Sequence, residues 1–386
     1  MARGICSNWK QPIFYNYDCK ITKNLLFQII TKLENIGYPV YAINCDLGGS
    51  NRGLWNSLNI SEENTSFKNP VSDKSIHVFA DTPHMIKLLR NHFLDHGYIL
   101  NGKMITSKPI VDLLHNTVKL DLKIAHKLTE DLLTVKGAQR QKVKYATKLF
   151  SHTISRAVTR LGTLGHYKTE DNWRECSDFF KIINDWFDVF NCQIPHPDSR
   201  NRVKAYGLAL AEQNEILEKM NSIMQNMRKI GGNAILPFQK GILVSIKSLK
   251  NLYSDLKEDF ELTYLLTYQL NQDPLEGLFS VIRAIGGLHD HPSALQFKYR
   301  LRNYLIGRND EIMSDSANIQ RPINFANQPN NNSILNEPTN LTCSVVTGEL
   351  LSPLNLTIDD RMEIEWDEES LNTKHLEELR WDVSNI

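Results

Sequence analysis

Three acidic residues stand where the chain passes from one element to the next. Asp46 follows the apolar run YAINC and precedes a glycine pair. Asp81 follows SIHVFA and precedes Thr82 and Pro83, with His84 close behind. Glu276 lies in NQDPLEGLFSVIRAIGG, residues 271–287. Acids at the C-terminal ends of parallel strands often line the active sites of α/β folds, and carboxylates can hold a metal ion there. Each acid also has a structural reading. Asp273 as an N-cap with Pro274 at N1 puts Glu276 at N3, a capping-box geometry. Asp46 could cap a helix beginning near Asn51, and Asp81 one beginning at Thr82-Pro83. Asp81 with His84 could join a metal site, although capping is the simpler account. His289-Asp290-His291 sits in a Gly-Gly…Pro context and reads as a surface loop. The GGSN turn after Asp46 could suggest a phosphate loop, but it is neither GxGxxG nor GxxxxGK[ST], so that signal is weak.

The elements that position these residues follow from periodicity. QPIFYNY, 11–17, reads as a strand. Leu25, Leu26, Ile29, Ile30 and Leu33 repeat at helical spacing behind Thr22, the best N-cap candidate. YAINCD and SIHVFAD read as strands, and GLWNSL and TPHMIKLLRNHFLDHG as helices. That order implies a mostly parallel sheet covered by helices. After about Asn101 strands are not expected. Apolar positions from Val143 to Leu161 share one face, as do those from Leu208 to Ile230. CSDFFKIINDWFDVFN, 176–191, is rich in aromatic residues. From about Asn309 the chain is rich in Asn and Pro and is expected to be mostly disordered, with a weak helix near Glu368–Leu379. The expected division is 1–100 α/β, 101–265 helical, 266–308 helical and 309–386 tail.

The chain has 386 residues, 41% of them hydrophobic, enough for two or three domains. No segment is apolar and long enough to span a bilayer, and the N-terminus lacks the apolar stretch of a signal peptide. The six cysteines form no CxxC pair, which points to a reduced intracellular protein without structural zinc. A net charge of zero conceals an asymmetry. Residues 310–386 carry 15 acidic and 4 basic residues, so the rest of the chain has a net charge of +11. A basic body suits a polyanion, which an acidic tail could shield; solvated surface charge is the plainer reading. In QFKYRLRNYLIGR, Lys298, Arg300, Arg302 and Arg308 alternate with Tyr299 and Tyr304. This is either a grip on a phosphate backbone or a solvated helix face.

Four blocks in order, RGICSNWKQPIFYNY, INCDLGGSNRGLW, FADTPHMIKLLRN and NQDPLEGLFSVIRAIGG with HDHPSALQFKYRLR, resemble the P-element family of DNA transposases, which includes the THAP-domain transposase relatives of animals. The resemblance covers about residues 1–308. It implies an RNase H-like mixed sheet interrupted by a helical GTP-binding insertion. It also implies a site in which two Asp and one Glu hold Mg²⁺ for DNA cleavage and strand transfer. By motif, Asp46 matches the second acid and Glu276 the third, and Asp81 and His84 fall in a supporting block. The family's guanine-nucleotide contacts match Lys127, Lys142 with Val143, Phe187, Asp188, Asn191 and Asp273. An aspartate can accept from guanine N1–H and N2–H₂ together, and a lysine supplies charge to phosphate. Lys298, Arg300 and Arg302 are the candidate DNA contacts.

The resemblance further implies transposon-end DNA as partner, a homo-oligomer, a nuclear location and no membrane. The family's first Asp lies upstream of the WKQP block, on the first strand of the sheet. Asp18, on a later strand by pattern, is not assigned that role. Neither the zinc finger nor the coiled coil of the family has a counterpart here. The expectation is therefore a copy that lacks its first strand and is catalytically impaired. The alternatives are a non-catalytic repressor or relic that joins intact subunits, and a plain nucleotide-binding helical protein.

Overall fold

A computed structural model describes residues 1–119, 125, 128–196, 203–285 and 291–307. Lys127, His289, Asp290, Arg308 and the expected acidic tail lie outside the described residues. The chain divides into two units, Met1–Gln272 and a second that begins at Asp273.

The first unit opens with a two-residue ladder, β1 (Ala2–Arg3) against β2 (Lys10–Gln11). The strand expected over 11–17 does not form. Pro12 has no N–H to continue the ladder, and Tyr15 and Tyr17 instead meet edge to face. Asp18 lies in a bend with φ 43°, not on a strand. Helix α1 (Lys23–Asn35) is capped as expected, with the Thr22 hydroxyl accepting from the Leu25 N–H at 3.3 Å. It buries Leu26 and Ile30.

Strand β3 (Ala42–Cys45) leads into α2 (Gly49–Ser57). The chain continues through β4 (Ser66–Lys68) and β5 (Ser75–Ala80) into α3 (Thr82–Asp95). The sheet order is β3-β5-β4, parallel at the first pairing and antiparallel at the second. This is the mixed sheet expected. Cys45 pairs with Ala80, so Asp46 and Asp81 leave the sheet side by side at one end.

The strands do not stop near Asn101. Strands β6 (Tyr98–Leu100) and β7 (Lys103–Ile105) form a hairpin. Asn101 and Gly102 turn it with φ 51° and 76°, the left-handed pair that favours Asn-Gly in two-residue hairpins. Helices α4 (Lys108–Lys119), α5 (Val143–Leu149), α6 (His152–Thr163), α7 (Trp173–Phe190) and α8 (Leu210–Asn226) follow. The apolar face read over 143–161 is two helices, because the Ser151 hydroxyl accepts from the Ile154 N–H and starts α6 afresh. The face read to Ile230 ends early: after α8, β8 (Arg228–Lys229) adds to the hairpin beside β6.

Helix α9 (Pro237–Phe260) then returns to cover the sheet. Its Ser245 hydroxyl accepts from the Ala80 N–H at 2.9 Å, and Ser248 donates to the Val78 carbonyl at 2.7 Å. One buried apolar cluster runs from the sheet into α7 and α9. In the second unit, α10 (Asp273–Ala284) packs on α11 (Ala294–Ile306), burying Leu278, Ile282 and Leu301.

Candidate active site and nucleotide-binding segments

The parallel register places the carboxylates of Asp46 and Asp81 at neighbouring strand ends, and their surroundings then separate them. Asp81 is 1% exposed. Its Oδ2 accepts from the His84 N–H at 3.0 Å as the N-cap of α3, with Pro83 in the first turn. Its Oδ1 accepts from the Gln272 N–H at 2.8 Å. Both oxygens are thus engaged by backbone amides, and Asp81 ties the end of β5 to the segment that enters NQDPLE.

Asp46 is half-buried. Its Oδ1 accepts from the Gly48 N–H at 2.9 Å and from Asn51 Nδ2 at 2.7 Å. The N-cap of α2 is Gly48, so Asp46 braces the glycine turn instead of capping the helix. Among the described residues no donor meets Asp46 Oδ2. A carboxylate oriented through one oxygen and open at the other has the form of a ligand to a hard cation.

His84 is half-buried above this end. Burial and the Lys87 ammonium lower its pKa, while Asp46 draws it back up. Trp55 Nε1 donates to Cys45 Sγ at 3.2 Å, and burial raises that thiol to about 12, so it stays protonated and supplies no nucleophile. Among the described residues no cluster of three or more His, Cys, Asp or Glu forms a metal cage.

Several residues that hold this end did not stand out in the sequence. A Cβ on Gly241 of α9 would lie 2.8 Å from Leu47, 2.9 Å from Met85 Sδ and 3.0 Å from Ala80. Only a glycine lets α9 approach both strand ends this closely. An isolated Gly inside a helical pattern was the available signal. Asn44 Nδ2 donates to the Leu270 carbonyl, and Arg3 donates to the Tyr268 carbonyl at 3.3 Å. The 268–272 segment is thereby fastened to the sheet.

Within the helical region, Lys142 is exposed and forms the N-cap of α5, and Val143 packs against the core. Their backbone is clamped from α3. Arg90, fully buried, donates to the carbonyls of Lys142 (3.3 Å) and Arg140 and to Asn91 Oδ1 at 2.7 Å. Burial, and then the nearby Arg140 charge, lowers its pKa to about 10. Arg140 in turn forms a two-point pair with Asp95 of α3. One helix therefore starts at Asp81 and holds the Lys142 segment about two turns later.

On α7, Phe187 is buried beside Trp186, leaving little ring face for a base. Asp188 is half-buried, and its Oδ2 accepts from Asn184 Nδ2 at 2.6 Å. Burial raises its pKa to about 6, partly offset by His152 and Asn184. Asn191 is the C-cap of α7.

In the second unit Asp273 and Glu276 occupy the exposed first turn of α10, where the helix dipole favours negative charge. Lys298 and Arg302 are exposed on α11. Arg300 is buried and donates to the carbonyls of Ile282 (3.1 Å) and Arg283 (3.4 Å), closing the C-terminal turn of α10.

The structure thus brings Asp46, Asp81 and His84 together, and fixes Lys142 and Val143 to α3. Comparison with known proteins gives the same parts. The family descriptions "TNP-like, RNase H N-terminal domain", "TNP-like, GTP-binding insertion domain" and "TNP-like, RNase H C-terminal domain" match residues 1–59, 83–202 and 268–299. The solved structure titled "Drosophila P element transposase strand transfer complex" aligns with a TM-score of 0.76 and 45% identity, over 81% of this chain and 70% of that one.

The chain belongs to the P-element transposase family.

The "Transposable element P transposase" of Drosophila melanogaster is 42% identical over 340 residues. That alignment takes in 86% of this chain and spans 45% of the relative's length. Family membership accounts for the interrupted order of elements: a mixed sheet, a helical GTP-binding insertion, and a helical closing segment.

Proposed function

We propose that the chain carries out the DNA cleavage and strand-transfer chemistry of a P-element-type transposase, with GTP bound to its helical insertion. The observation that carries this reading is the sheet end, where Asp46 is braced through one oxygen and open at the other. Asp46 and Glu276 are the proposed metal ligands. Mg²⁺ typically takes one or two protein carboxylates and fills its shell with water and substrate phosphate, a demand that acids of this kind meet. When bound, Mg²⁺ would activate the attacking oxygen and neutralise charge at phosphorus. Asp81 and His84 would hold that end of the sheet in place.

The nucleotide contacts proposed are Lys127, Lys142, Val143, Phe187, Asp188, Asn191 and Asp273. Asp188 supports this most directly, as a partly desolvated carboxylate able to accept from a guanine edge. Phe187 would act through the packing that orients Asp188. Lys298 and Arg302 would meet DNA phosphate, with Arg300 holding the helix that carries them. Transposon-end DNA, assembly with further copies of the chain and action in the nucleus belong to the same reading.

The test is strand transfer on pre-cleaved transposon-end DNA with Mg²⁺ and GTP. The reading expects whatever product the unaltered chain gives to fall at least 100-fold in Asp46→Asn, and its stimulation by GTP to be lost in Asp188→Ala. DNA and GTP binding without any product would overturn the catalytic assignment and leave a non-catalytic binder.

A further inference from the structure

We propose that the groove between α6 and α7 is a docking site for the phosphate backbone of duplex DNA, built from residues other than the proposed acids, Lys298 and Arg302. The groove has a volume of about 480 Å³. Arg156, Arg160 and Lys181 line it, all three exposed. Among the described residues none of the three has a carboxylate partner. His152 closes one end but is occupied by Asp185 at 2.7 Å. Asp178 is the one acid in the lining and leaves the cations in excess.

The floor explains why these charges stay unpaired. Ser155 donates to the Ser177 carbonyl at 3.0 Å, Ser177 returns a bond to the Ser155 carbonyl at 2.9 Å, and the Thr159 and Ser177 hydroxyls meet at 2.6 Å. The hydroxyls are spent on joining the two helices, so no internal group draws the cations inward.

The occupant follows from what the lining offers. Arg156 and Arg160 stand one helical turn apart, about 6 Å along the axis, comparable to the step between successive phosphates of one strand. Arg and Lys side chains are usual partners of DNA phosphate. Apart from the paired His152, the lining holds no aromatic ring on which a base could stack. Sites for single strands rely on such rings. A duplex, which keeps its bases stacked and presents only backbone, fits this lining. The inference rests on the chain acting on DNA but not on the identity of its catalytic acids.

The test is fluorescence anisotropy of the full chain with a duplex carrying a transposon end, titrated with salt, beside a GTP-binding measurement. In Arg156→Ala/Arg160→Ala/Lys181→Ala, duplex affinity should fall at least tenfold near 0.1 M salt. The slope of log affinity against log salt should drop by about 2 to 3, since each lost phosphate contact removes about 0.9. GTP affinity and melting temperature should hold. Arg156→Lys/Arg160→Lys should keep the slope, and single substitutions serve if the triple variant does not fold. Unchanged affinity and slope would overturn the groove alone. A parallel loss of GTP affinity would overturn it too, because the groove would then hold nucleotide phosphates. Failure of the unaltered protein to bind duplex DNA would overturn both the groove and the transposase reading.

Discussion

The turns after β3 and β5 are equivalent in topology and opposite in chemistry. Each follows a strand of the same parallel pair, each begins with an aspartate, and the register sets Asp46 beside Asp81. At Asp81 a proline and a helix follow at once, and two backbone amides take up both oxygens. At Asp46 a glycine turn intervenes. Among the described residues the carboxylate bonds to Gly48 and Asn51 alone, through Oδ1. Strand-end position shows where an acid can act. The hydrogen bonds it already accepts decide whether it holds the fold or a ligand.

The largest effect is expected at Asp81. Asp81→Asn can accept at only one oxygen, so a buried amide of His84 or Gln272 loses its partner. One part-buried donor left without its acceptor should cost about 1–3 kcal/mol. Chemical denaturation measures this. The Asp46→Asn change should cost under about 1 kcal/mol, because the amide oxygen it introduces can still accept from Gly48 and the site is half open. Equal costs would remove the distinction between the two turns.

Next comes the helix that presses both turns into place. Gly241→Val should destabilise the chain by about 1–3 kcal/mol through overpacking against Leu47, Ala80 and Met85. It should also weaken metal binding, although Gly241 touches no proposed ligand. Full metal affinity in a folded Gly241→Val would show that the strand ends tolerate displacement.

Asp188 extends the contrast to the insertion. Its pKa is raised by burial to about 6, above an ordinary carboxylate. Guanine N–H groups need the ionised form as acceptor. GTP affinity should therefore be flat above pH 7 and fall towards tenfold per pH unit below about 6. The raised folded-state pKa also means that stability falls as pH rises from the ordinary carboxylate range to about 6, with the full cost of ionised Asp188 present above that. Asp188→Asn should then melt higher at pH 8 while losing guanine preference. A GTP affinity unchanged between pH 5 and 8 would place the nucleotide elsewhere.

Much of this arrangement was legible in the sequence. Thr22 and the Asp81-Thr82-Pro83 cap were readable because caps are local. The β3–β5 pairing was implied by alternating apolar strands and helices, and the ordered motif blocks marked Asp46. The hairpin at Asn101-Gly102 carried a clear local signal, the Asn-Gly pair, that the helical pattern around it obscured. The break at Ser151 was hidden because the apolar spacing of α5 runs on into α6. The buried Arg90 clamp could not be read at all, and the isolated glycine at 241 marked a position without showing what it touches. Each joins segments about 50 to 200 residues apart, and only the folded backbone brings those partners together. The difference between Asp46 and Asp81 is of the same kind, since it depends on where the Gln272 amide arrives.

The most direct test of the central claim is Mn²⁺ binding, followed by electron paramagnetic resonance, to the unaltered chain, Asp46→Asn and Asp81→Asn, all below their melting temperatures. Asp46→Asn should weaken Mn²⁺ binding at least tenfold, while Asp81→Asn should leave it within about twofold. Undiminished binding in Asp46→Asn, or loss confined to a folded Asp81→Asn, would contradict it.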